Sequence, residues 1–80
     1  MTPISVECTF AADGRVQVRR MAVDGRWQTV EQGRQWQDHT GRHVLVIVPG
    51  TSHDVVRELV LRADKLVWEL ADGRSSVHLA

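Results

Sequence analysis

The residues best equipped for chemistry lie between positions 15 and 42. Arg15, Arg19, Arg20, Arg26, Arg34 and Arg42 fall there together with Trp27 and Trp36. The stretch DGRWQTVEQGRQW, residues 24–36, sets its two tryptophans nine positions apart among two arginines and three glutamines. An indole can stack on a nucleobase while guanidinium groups fork onto phosphates, and the same residue types are enriched at the centres of protein interfaces. Arg19, Arg20, Arg26, Trp27, Arg34 and Trp36 are therefore the candidate binding residues. Asp13, Asp24, Glu31 and Asp38 are interleaved with the six arginines, so the excess of positive charge there is small. One expectation is a protein-interaction or self-associating module, with a protein partner or a second copy making a homodimer. The alternative is single-stranded nucleic-acid binding through an Arg/Trp face, which requires the arginines to share one face with a ring.

Catalytic constellations are weaker. Ser52, His53 and Asp54 are the residue types of a hydrolytic triad, but a triad is a spatial relay, and contiguous loop residues diverge. Thr51, Ser52 and Asp54 read better as turn or capping residues. Glu58 and Glu69 are expected to face each other on a polar surface, where both simply ionise. Cys8 sits on an apolar face and reads as a buried, inert thiol. His39 and His43 bracket the turn HTGRH, and His53 or His78 could add a third ligand. Nothing in the sequence makes them converge, so they read as surface histidines rather than a zinc site. No Gly-rich phosphate loop precedes a helix. The expectation is a protein that is not an enzyme and carries no cofactor and no metal.

Eighty residues bound the chain to a single β domain spanning 1–80, with little room for a deep cleft. Ten basic residues balance ten acidic ones, so no overall field draws it to nucleic acid or membrane. One cysteine excludes an intramolecular disulfide and fits a reducing compartment. The start, MTPISVE, has neither a basic nor an apolar leader region, and the longest apolar run, VLVIV at 44–48, is far short of a membrane span. A cytoplasmic location without membrane partners is the expectation.

The elements that must position these residues are strands. DGR at 13–15, DGR at 24–26, TGR at 40–42 and DGR at 72–74 recur between apolar stretches. Asp-Gly supplies the positive φ of tight turns, so the repeat reads as hairpin punctuation. In ISVECTF, Ile4, Val6, Cys8 and Phe10 alternate with polar residues. In RVQVRRMAV, Val16 and Val18 fall on one parity and Met21 and Val23 on the other. A bulge at Arg19 and Arg20 would bring all four to one face and turn both arginines outward. HVLVIV at 43–48 is apolar on both faces and reads as a central strand, closed by Pro49 and Gly50.

Residues 52–62 fit either a short helix capped by Thr51 or Ser52, or a strand. A hairpin around Ala63 and Asp64, pairing Leu61 with Leu66 and Leu59 with Trp68, keeps one face apolar and is preferred. It makes Trp68 a core residue beside Leu66 and Leu70. In residues 26–31, Trp27 and Val30 fall on opposite parities, so one of them is exposed. Trp36, between Gln35 and Gln37, has no apolar neighbour in sequence. RSSVHLA would add a last short strand or fray. The fold expected is all-β: an antiparallel meander of six or seven strands rolled into an SH3-like or partly open barrel.

The order of elements over residues 4–71 resembles a family of small uncharacterised bacterial all-β domains sometimes found near DNA-damage polymerases. DGRW at 24–27, the isolated Trp36, VREL at 56–59 and WEL at 68–70 carry the resemblance. The doubled tryptophan of that family is absent, and the VREL spacing departs by one residue. The resemblance implies an all-β fold and no established activity.

Overall fold

Alternation and turn chemistry act together to build eight strands. The computed structural model describes residues 2–71, in the order β1 (Thr2–Pro3), β2 (Ser5–Phe10), β3 (Val16–Val23), β4 (Arg26–Thr29), β5 (Glu31–Gln37), β6 (Gly41–Val48), β7 (Val55–Arg62) and β8 (Trp68–Leu70). They form a five-stranded sheet, β1-β8-β7-β6-β5, and a three-stranded sheet, β2-β3-β4, antiparallel throughout. The count exceeds six or seven because two extended runs bend from one sheet into the other. One bends at Ile4, whose N–H donates to the Trp68 carbonyl, and the other at Val30, whose N–H donates to that of Arg19. The result is a partly open all-β barrel, and no helix occurs among the described residues.

The x-Gly-Arg triplets stand at the hairpins. Asp24 and Gly25 both have positive φ, as a two-residue turn matched to strand twist requires. Asp13–Arg15 closes the β2–β3 turn, and Thr40–Arg42 leads into β6, where the Asp38 carboxylate accepts the Thr40 and Gly41 N–H groups. The fourth triplet, and the strand expected after it, lie outside the described residues.

The β3 bulge is present. Glu7 pairs with Arg20 but Cys8 with Val18, which leaves Arg19 as the extra residue. Val16, Val18 and Met21 thereby all reach the core, Val23 packs at its edge, and both arginines face solvent. Opposite them the five-stranded sheet contributes Val44, Val46, Leu59, Trp68 and Leu70, with Val30 at the corner. Cys8 lies at the margin of this core, and burial raises its thiol pKa although Trp68 hydrogen-bonds to the sulfur and Arg19 is close enough to oppose the shift.

Three details depart from the sequence reading. Residues 55–62 are strand, but the following hairpin pairs Leu61 with Trp68 and Leu59 with Leu70, so its loop is longer than Ala63–Asp64. Leu66 sits in that loop and not beside Trp68, because its N–H bonds back to the Arg62 carbonyl in a left-handed turn. Glu58 and Glu69 do not face each other: Glu58 stands opposite Leu45 of β6, and Glu69 stands opposite Val60. The central strand of the five-stranded sheet is β7 and not β6, which lies between β7 and the edge strand β5; nor is β6 covered on both sides, since Val44 and Val46 are buried while Leu45 and Ile47 are half-exposed.

Candidate functional site

Strand parity and one bend decide where the candidate residues go. Residues 26–29 belong to the small sheet and 31–37 to the large one, so the bend at Val30 divides the tryptophan-bearing stretch. Trp27 faces outward on β4 opposite Ala22, with Val30 taking the buried place. It is 50% exposed, the Arg20 guanidinium lies 5.1 Å from its ring centroid, and Arg20 pairs with Glu7 at 2.6 Å. That contact lowers the Glu7 pKa and raises that of Arg20. Arg19 donates to the Thr9 hydroxyl, and Arg26 stands at the exposed start of β4. Arg19, Arg20 and Trp27 are thus brought together on the small sheet, with Arg26 at its rim.

Arg34 and Trp36 belong to the other sheet. Trp36 stands opposite His43, and the two rings stack 5.1 Å apart with their planes 4° from parallel. The Arg34 guanidinium lies 5.1 Å from the Trp36 centroid. Trp36 is half-buried, because the fold gives it an aromatic neighbour that its sequence context lacks. The six candidate residues therefore occupy two sheets and do not form one continuous Arg/Trp face.

His43 is held through both ring nitrogens. Its Nδ1 lies 2.7 Å from the Glu58 carboxylate and its Nε2 lies 2.9 Å from that of Asp38. Only an imidazolium can donate both hydrogen bonds. Burial works against that charge, but the bonds to Glu58 and then Asp38 outweigh it and raise the His43 pKa. The His43 contact in turn lowers the Asp38 pKa. No group of three or more His, Cys, Asp or Glu side chains among the described residues is placed to hold a metal ion. His78 lies outside the described residues. Ser52 and His53 touch each other in the exposed β6–β7 loop, where Asp54 accepts a bond from the Gly50 N–H.

The glutamines around the tryptophans have a structural role that the sequence reading missed. Gln32 pairs with Val46 and Gln35 with Val44, so β5 carries an extra residue at Gly33 and Arg34. This second bulge turns both glutamines the same way, toward the half of β3 that β4 does not reach. The Val18 N–H donates to Gln32 Oε1 at 2.6 Å and the Val16 N–H to Gln35 Oε1 at 3.1 Å. Both glutamine Nε2 groups donate to the Val16 carbonyl, at 2.9 and 2.8 Å. Side chains thus stand in for a missing stretch of backbone ladder and tie β5 of one sheet to β3 of the other. Gly33 was the available signal, since glycine inside a strand marks a bulge.

Comparison with known proteins returns no match to a family model, to a curated protein or to a solved structure. No helix of the described residues is long and apolar enough to cross a membrane.

Proposed function

We propose that this domain is a non-catalytic protein-interaction module with Trp27 as its anchor, docking a protein partner or a second copy. The observation that supports it is a half-exposed indole on the outer face of the small sheet, opposite Ala22 and held by an arginine. A rigid aromatic beside small residues presents large contact area at low entropic cost, which is how interface anchors work. The nucleic-acid reading has less support. Its arginines divide between two sheets, and the one nearest Trp27 is already neutralised by Glu7. The lone cysteine supports a cytoplasmic setting.

The test compares wild type with Trp27→Ser. Peptides selected from a displayed library on the wild-type domain, or its own self-association in sedimentation, are expected to weaken at least tenfold in the variant. A mixed-sequence single-stranded oligonucleotide is expected to leave the amide spectrum unchanged. Shifts at Arg19, Arg20, Arg26 and Trp27 that appear with oligonucleotide and reverse with salt would overturn the reading in favour of nucleic acid.

A further inference from the structure

The barrel carries a second apolar surface, remote in sequence from Trp27. Phe10, at the end of β2, is 57% exposed, and Leu66, in the β7–β8 loop, is 76% exposed. Both line a hollow of about 280 Å³ together with Leu61, Ala63, Arg42 and Arg62. Leu66 has φ +57, a left-handed conformation that is uphill for any residue with a Cβ and normal for glycine or asparagine. A leucine there gains little burial within the chain to offset that strain. Strain at an exposed apolar side chain points to a use outside the fold.

Charge decides what fits. No lining residue of the hollow is acidic, and two are arginines. Arg62 is engaged by Asp64 and Glu69. Arg42 donates through one nitrogen to the Gly14 carbonyl at 2.9 Å and meets no carboxylate among the described residues. Its remaining N–H groups suit an incoming carboxylate.

We propose that this hollow binds an extended peptide segment of a partner protein. A bulky apolar side chain of the segment enters between Phe10 and Leu66, and an adjacent carboxylate pairs with Arg42. The site deepens the interaction-module reading but uses a different surface from Trp27.

The test titrates labelled protein with capped heptapeptides that carry a central leucine or phenylalanine followed by two glutamates. The controls carry lysine in place of glutamate. The expected result is amide shifts at Phe10, Gly41, Arg42 and Leu66 with the acidic peptides, at least tenfold weaker with the lysine set. Leu66→Gly relieves the backbone strain, so the variant should melt no lower than wild type and still lose tenfold or more in peptide affinity. Arg42→Gln should erase the preference for glutamate over lysine, and Trp27→Ser should leave peptide binding unchanged. Equal binding of both peptide sets, no binding, or full binding by Leu66→Gly would overturn the proposal. So would shifts that follow protein concentration rather than peptide, which would assign the hollow to a second copy. Loss of binding in Trp27→Ser alone would overturn the hollow while leaving the Trp27 reading in place.

Discussion

Removing the two glutamine staples tests how the two sheets are held together. Leucine at position 32 keeps most of the side-chain bulk but leaves the Val18 N–H without its acceptor, and Val18 is only 1% exposed. An orphaned buried donor costs about 1–3 kcal/mol. Leucine at position 35 does the same to the Val16 N–H, at a similar cost. The Val16 carbonyl distinguishes the variants because it accepts from both glutamines, so either single variant leaves it with one donor. The double variant strips it of both. Gln32→Leu/Gln35→Leu should therefore lose more stability than the sum of the two singles, by about 1 kcal/mol. Urea unfolding of the four proteins gives the coupling, and hydrogen exchange at Val16 and Val18 gives its location. Additive losses, with both amides still protected in the double variant, would refute the staple as the link between the sheets.

Three further outcomes follow from the outer faces and one turn. The raised His43 pKa means that its stabilisation is fully present below the ordinary histidine value of about 6.5 and is lost as pH rises through the folded value. The lowered Asp38 pKa means that the same contact is also lost as pH falls through the Asp38 folded value. Wild type should exceed His43→Phe by about 1–2 kcal/mol between those limits, with the gap closing as pH rises through the folded His43 value; a gap independent of pH in paired urea titrations would contradict this. Trp36→Ala should cost about 1–2 kcal/mol through the lost stack on His43, while Trp27→Ala stays within about 0.5 kcal/mol, and equal losses would refute the difference in burial. Gly41→Ala should cost about 2 kcal/mol or more, because φ is +151 and the new Cβ would collide with the Leu61 carbonyl; an unchanged melting temperature would count against that packing.

Local rules made much of the fold legible. The Asp-Gly turns, the alternation in residues 4–10 and the parity break at Arg19 and Arg20 each act over a few residues, and each led to the observed element. The register of the last hairpin was less accessible, because its loop conformation is set by backbone bonds between Arg62, Leu66 and Val67. Nothing in ADKLV demands a left-handed leucine. Counting apolar residues on one face favoured the tighter pairing, and tertiary contacts of Trp68 and Leu70 favoured the looser one.

Side-chain placement was harder, and the reason lies in one residue. With β5 read as a regular strand, Gln32 and Gln35 fall on opposite faces, and no linking role for them can be seen. The extra residue at Gly33 and Arg34 reverses the parity beyond it, which sends Gln35 inward to Val16 and Trp36 outward onto His43. A single irregularity therefore ties the two sheets together and also puts Trp36 on the outer face of β5. It follows that deleting Gly33 would do more than shorten a strand. It would place Gln35 and Trp36 on exchanged faces, break both bonds from Gln35 to Val16 and drive an indole toward the core. The expected outcome is loss of cooperative unfolding, whereas deletion of one residue from the exposed Thr51–Asp54 loop should leave a cooperative transition. A Gly33 deletion that unfolds as cooperatively as the loop deletion would show that the bulge does not set the parity of β5.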